Sequence, residues 1–206
     1  SAGEVGDFSS ITIGTNGNPL ISYYDNSNDD LKVAACNNPT CTTSTNTTID
    51  SAGDVGAWTS IAIGVNGNPI ISYLDFGNAN LKIAACNNPT CTTSTNTTID
   101  SDSDVGWYTS IAIGTNGNPV ISYRDNADIY SGDTKLDLKI AVCNNPTCEA
   151  LGGAPAATNT TIDSDGVVGW WPSMTIGTNG NPIISYGDLE NYDLKVFSPW
   201  WLNGGR

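Results

Sequence analysis

The chain has 206 residues, with Lys+Arg 7 against Asp+Glu 21, a formal net charge of −14 and no histidine. A polyanion of this kind repels phosphate backbones and anionic lipid surfaces, so nucleic-acid and membrane-surface binding are excluded. The lack of histidine removes the commonest general base and metal ligand, together with every Ser-His or Cys-His nucleophile pair. No apolar run approaches the ~20 residues of a membrane span, so no membrane insertion is expected, and the N-terminus does not have the form of a signal peptide.

Self-similarity sets the organisation. Residues 1–50 return as 51–100 with thirteen substitutions; a third copy occupies 101–163 and a shorter fourth 164–206. The third copy is longer because of two enlarged loops, around Asn126–Asp137 and Glu149–Ala157, and the fourth lacks both the cysteine turn and the final Thr-Asn-Thr-Thr-Ile-Asp segment. Within a copy, Ser60–Ile63 alternates apolar and polar residues and predicts a first strand. Asn66-Gly67 supplies the positive φ of a tight turn. Pro69–Tyr73 predicts a second strand buried on both faces, Leu81–Ala85 a third, and the Thr-rich stretch Thr92–Ile99 a polar fourth at an outer edge. No segment keeps a helical apolar period. The fold class is all-β.

Four antiparallel strands repeated in tandem predict the blades of a β-propeller, because a lone blade cannot cover its two apolar faces while its neighbours can. A β-solenoid or open stack of β-units is the alternative. The recurring text Ser-Ile-Ala-Ile-Gly-x-Asn-Gly-Asn-Pro-x-Ile-Ser-Tyr-x-Asp, followed by Leu-Lys-x-Ala-x-Cys, resembles propeller-type repeats of secreted bacterial and archaeal surface proteins. That resemblance carries no defined activity. The last blade is predicted to be incomplete, since Ser198-Pro199-Trp200-Trp201 replaces the final strand and cysteine turn. Either the native chain continues, or the edge stays open, or another subunit supplies the missing strand. Self-association through open β edges is the expected partnership, with Trp200 and Trp201 as candidate subunit contacts.

Six cysteines fall in three identical units, Cys36/Cys41, Cys86/Cys91 and Cys143/Cys148. A local disulfide in each is simpler than a shared zinc site, contributes about 2 kcal/mol by loop closure, and places the protein outside the cell or at its surface. Asn46, Asn96 and Asn159 each open an Asn-Thr-Thr acceptor for glycosylation on the predicted outer strand, and Thr42–Thr48 could carry O-linked sugars instead.

Candidate chemistry is sparse. Asp25, Asp75, Asp125 and Asp188 each follow a second strand, and are expected to cap turns or pair with Lys32, Lys82, Lys139 and Lys195. No metal site is assigned. The calcium candidates are Asp25, Ser27, Asp29 and Asp30, then Asp128, Asp133 and Asp137, with a solvated turn favoured. A sialidase Asp-box is absent, and the two arginines, Arg124 and Arg206, are too few for a sialidase arginine cluster. No unique group stands out from the repeats, which argues against a glycosidase-like carboxylate pair and against any enzyme.

One aligned position is aromatic throughout: Phe8, Trp58, Tyr108 and Trp171, preceded by Trp107 and Trp170 in the later copies. Placed in the connection entering the first strand, these rings either fill gaps between blades or stack on sugar rings. The functional expectation is a non-enzymatic extracellular structural or adhesive protein, a self-assembling glycosylated filament or coat subunit. A carbohydrate-binding, lectin-like propeller is the alternative.

Overall fold

A computed structural model describes residues 3–102, 104–126 and 136–198. Strands are the only regular elements among them. The first blade comprises β1 (Val5–Ile13), β2 (Pro19–Asp25), β3 (Asp30–Cys36) and β4 (Ser44–Asp50). The second comprises β5 (Val55–Ile63), β6 (Pro69–Asp75), β7 (Asn80–Cys86) and β8 (Ser94–Asp100). The third comprises β9 (Val105–Ile113), β10 (Pro119–Asp125), β11 (Asp137–Cys143) and β12 (Ala157–Asp163). Among the described residues the fourth has three strands, β13 (Trp170–Ile176), β14 (Pro182–Asp188) and β15 (Asp193–Phe197). Each sheet is antiparallel and ordered as in the chain, so the all-β, blade-like reading with a smaller last unit holds.

The local signals explain the strands. In the first hairpin the Gly14 N–H donates to the Asn18 carbonyl at 2.9 Å, the Asn16 side chain accepts from the Asn18 N–H at 3.0 Å, and Gly17 takes φ 79°. The proline that follows opens the second strand, where its missing N–H is tolerated. Each second strand sits mid-sheet; β6 is buried along its whole length. The cysteine turns close as expected, with Cα–Cα separations of 4.9, 4.9 and 5.0 Å for Cys36–Cys41, Cys86–Cys91 and Cys143–Cys148. These disulfides in a small domain suit an extracellular setting.

The blades stack by their first strands, β1 on β5, β5 on β9 and β9 on β13; β13 and β1 form no fourth packed pair of this kind. Three apolar clusters fill the three junctions. Leu31, Val33 and Ile49 of the first blade meet Ile61, Ile71 and Tyr73 of the second. Leu81, Ile83 and Ile99 meet Ile111, Ile121 and Tyr123. Leu138 and Ile140 meet Ile184 and Tyr186. Each fully buried aliphatic side chain contributes roughly 1.5–3 kcal/mol. The same faces at the two ends are uncovered: Ile11 and Ile13 on β1, and Leu194 and Val196 on β15, are exposed.

A polar motif is repeated inside each junction. Tyr73 donates to Asp50 at 2.7 Å, Tyr123 to Asp100 at 2.6 Å and Tyr186 to Asp163 at 2.6 Å, each reaching the carboxylate that ends the preceding blade. A lysine bridges that carboxylate to its own blade's turn aspartate. Lys82 lies 2.7 Å from Asp50 and 3.7 Å from Asp75, Lys139 2.8 Å from Asp100 and 3.3 Å from Asp125, and Lys195 3.3 Å from Asp163 and 3.1 Å from Asp188. In the first blade Lys32 has Asp25 alone, at 2.5 Å. The turn aspartates therefore do what the sequence led us to expect.

A hydroxyl pair supplements the motif. Ser22 bonds Thr59, and Ser72 bonds Thr109 at 2.7 Å. At the third junction Pro172 stands in the threonine's place, and the Ser122 hydroxyl is buried without a partner. Pro172→Thr is therefore expected to stabilise the protein by about 1 kcal/mol in urea unfolding.

The junction carboxylates also set the acid response. Burial pushes the Asp50 carboxyl up, but Lys82 and Tyr73 outweigh it and hold it below its ordinary value. Hydrogen bonding by Asn191 leads the effects that bring Asp188 down to about 2. Groups depressed in the folded state add stability that is fully present above the unfolded carboxylate value near ~4 and is lost as pH falls towards ~2. Urea midpoints should drop across that window, and Lys82→Met should flatten the drop while lowering stability at pH 7.

Candidate functional site

The conserved spacing Val-Gly-x-aromatic has a steric origin. Gly56 and Gly106 have φ 106° and 95°, and a Cβ at either would lie 2.6 and 2.8 Å from the Cα of Leu31 and Leu81 in the preceding blade. Two residues later the strand bulges. Val55 faces Asp75 and Ser60 faces Ser72, so the first strand carries two more residues than its partner over the same interval. The aromatic at the bulge takes a left-handed backbone in all four blades: Phe8 φ 52°, Trp58 φ 48°, Tyr108 φ 54° and Trp171 φ 47°. Bulky side chains rarely adopt this region, and such strain persists where surrounding structure enforces it, often at functional sites.

The bulges turn these rings towards one another. Phe8, Trp58, Tyr108 and Trp171 together line a cavity of about 250 Å³, floored by Ser9, Thr59, Thr109 and Pro172. The rings lie on the first strands themselves, within the bulge, rather than in the connections entering them. Ring centroids step along an arc: Phe8 to Trp58 4.5 Å, Trp58 to Trp107 4.6 Å, Trp58 to Tyr108 5.1 Å, Tyr108 to Trp170 5.6 Å and Trp170 to Trp171 5.3 Å. All six aromatic candidates from the sequence are thus brought together. They both fill the inner gaps between blades and remain open, with Phe8 41% and Trp171 63% exposed.

Residues that the repeat pattern did not single out extend the arc. Tyr24 and Phe76 join Phe8, Trp58 and Asp54 around a cavity of about 230 Å³. Phe76, Trp107 and Asp104 share another of about 220 Å³. Asp54 and Asp104 occupy the same repeat position and stay outside the lysine pairs. Asp54 accepts from the Tyr24 hydroxyl at 2.8 Å, and Asp104 from the Trp107 indole N–H at 2.6 Å.

The third blade is singular. Arg124 stands where the other copies have Tyr24, Leu74 and Gly187, and Asn126 where they have Asn26, Phe76 and Leu189. Asp104, Arg124 and Asn126 are 7%, 4% and 3% exposed. The expectation that no group breaks the repeat symmetry is corrected by Arg124 alone, since Asp104 recurs as Asp54 and Asn126 as Asn26. The sequence signal was an arginine, in a chain that has two, at an otherwise uncharged repeat position.

The remaining candidates sort as follows. Asn96 and Asn159 donate their side-chain N–H to the carbonyls of Ile49 and Ile99 in the preceding blade, at 3.0 and 2.9 Å. A glycan on either nitrogen would replace one of its two N–H hydrogens beside that bond; among the described residues Asn46 makes no such donation, and its side chain is exposed. Asp25 accepts from the Ser27 N–H at 3.1 Å, from Asn28 at 3.0 Å and from Lys32, which is the arrangement of a capped turn. Among the described residues no group of three or more acidic or cysteine side chains is gathered for a metal ion. Asp128, Asp133, Trp200 and Trp201 lie outside the described residues.

Trp171→Gly tests the strain directly. Glycine suits the left-handed backbone and the ring is mostly exposed, so stability in urea is expected to hold or to rise by about 1 kcal/mol.

No protein-family model and no curated protein matches the chain. Among solved structures it is similar to a Dyadobacter fermentans protein of unknown function, with TM-score 0.63, 13% identity, and 85% of this chain aligned with 47% of that one. It is also similar to an α-L-arabinofuranosidase from Lactobacillus brevis, with TM-score 0.59, 13% identity, and 94% of this chain aligned with 68% of that one. An endo-1,4-β-xylanase from Bacteroides thetaiotaomicron gives TM-score 0.56, 10% identity, and 92% aligned with 69%. The chain thus spans about half of the Dyadobacter protein and about two thirds of the other two. At these identities the likeness shows the fold, a propeller-like all-β stack of blades. It also overturns the expectation of a non-enzymatic structural or adhesive subunit, since the architecture is shared with enzymes that include an arabinofuranosidase and a xylanase.

Proposed function

We propose that the protein is carbohydrate-active, seating saccharide rings on the aromatic arc of its first strands. The observation that carries this reading is the left-handed backbone at Phe8, Trp58, Tyr108 and Trp171, which directs four rings into one open cavity at a steric cost in every blade. Apolar faces of sugar rings stack on aromatic side chains, while nearby polar groups meet the hydroxyls. Asp54 and Asp104, outside the lysine pairs, each bring a carboxyl group to a separate cavity beside the arc, the kind of group that glycosidic cleavage uses. The fold shared with an arabinofuranosidase, a xylanase and a sucrose-6-phosphate hydrolase favours the same reading and sets the substrates to try.

The test is to present the full chain with arabinoxylan, xylan and a mixed glycan array, measuring both retention and released reducing ends. Trp58→Ala and Trp171→Gly are expected to weaken retention by at least about tenfold. Asp104→Asn is expected to abolish release while leaving retention in place. A wild-type protein that neither retains nor cleaves any member of the panel would overturn the reading.

A further inference from the structure

Every lysine of the described residues is committed to one or two aspartates. Arg124 differs: among the described residues it has no ion-pair partner, and it is among the most buried charged groups of a strongly acidic chain. Rings surround it instead. Its guanidinium carbon lies 3.7 Å from the centre of the Trp170 ring, 4.7 Å from that of Tyr108 and 5.6 Å from that of Trp107. Trp107 and Tyr108 belong to the third blade and Trp170 to the fourth, so one planar cation is shared across the junction. Gly169 makes room for it, since a Cβ there would approach the Arg124 Cγ at 3.2 Å.

The surroundings are polar without being saturated. Arg124 Nε and Nη1, Trp170 Nε1, Asp104 Oδ2 and Asn126 Oδ1 are buried with no hydrogen-bond partner. Burial brings the guanidinium down to about 10, which leaves it cationic at neutral pH. Unpaired buried polar atoms are destabilising, and three of these belong to Arg124 and the Trp170 ring stacked on it, which calls for a compensating role. A cation against ring faces attracts them all, most strongly where water is excluded. Lysine could supply the charge but not the plane that stacks.

We infer that Arg124 is a positioning residue, a planar cation that fixes Trp107, Tyr108 and Trp170 as one rigid platform in the third-to-fourth-blade half of the arc. Tyr24 and Leu74, at the aligned positions of the first two blades, provide no cation there. What sits on the platform rests on the carbohydrate reading; the positioning of the rings does not.

The experiment uses Arg124→Met and Arg124→Lys in the full chain, with far-ultraviolet circular dichroism and urea unfolding to establish folding. The ring geometry is read without ligand, from the near-ultraviolet circular dichroism of the tryptophans and from their quenching by acrylamide. Both variants are expected to lose near-ultraviolet intensity and to quench more readily. On a saccharide that the wild type retains, affinity should fall roughly tenfold in each, and lysine should not rescue it. Should the methionine variant fail to fold, the lysine variant decides by the same readouts. Wild-type ring signals in a folded variant, or full rescue by lysine, would overturn the inference. Altered ring signals together with no saccharide retained by the wild type would uphold the positioning role and sink the carbohydrate reading instead.

Discussion

Everything in this molecule follows from the inability of a single four-stranded blade to cover its own faces. Blade faces made of Leu, Ile and Val are stable only against another blade, and the geometry of that contact is fixed by more than apolar area. A tyrosine and a lysine from one blade meet the carboxylate that ends the last strand of the blade before it. Apolar packing is non-directional, whereas this bonded triad specifies distance and angle. The junction thereby decides where the first strands lie, and with them the rings that they carry.

Much of this was legible in the repeats. The alternation around Ser60–Ile63, the Asn-Gly turns and the Cys-Asn-Asn-Pro-Thr-Cys units predict strands, hairpins and disulfides because each rests on local physics. The partnership of Asp75 with Lys82 was also readable, from the recurrence of both residues in every copy. The link from Tyr73 to Asp50 was not, since it joins residues of different blades and depends on how blades stack. The aromatic position was visible as a pattern, but its backbone was not. Nothing in the letters Gly-Ala-Trp announces a bulge that holds Trp58 at φ 48°.

The arginine illustrates the opposite difficulty. A repeat protein invites reading by what recurs, and Arg124 does not recur. Among four near-copies, a substitution in one looks like drift until the fold shows that it is buried between three rings. Of the uncharged counterparts, Leu74 is apolar and fully buried and Tyr24 places its hydroxyl on Asp54, whereas a guanidinium in the same place must have its charge answered. Asymmetry in a symmetric scaffold is thus a place to look for chemistry, and next to Arg124 the recurrent Asp104 and Asn126 are joined by a backbone hydrogen bond of 2.7 Å.

The disulfides have a bearing on how such a chain assembles. Two repeats that differ at thirteen positions present nearly interchangeable strands to one another during synthesis. A fourth strand could then be captured by the wrong third strand, a characteristic failure of tandem copies. Each cysteine pair spans a separation of only five residues and sits at the corner between its third and fourth strands. Once oxidised, that corner keeps the fourth strand beside its own neighbour before any blade has met the next. Such a bond would oppose strand exchange between copies, an effect that its modest loop-closure energy would not reveal.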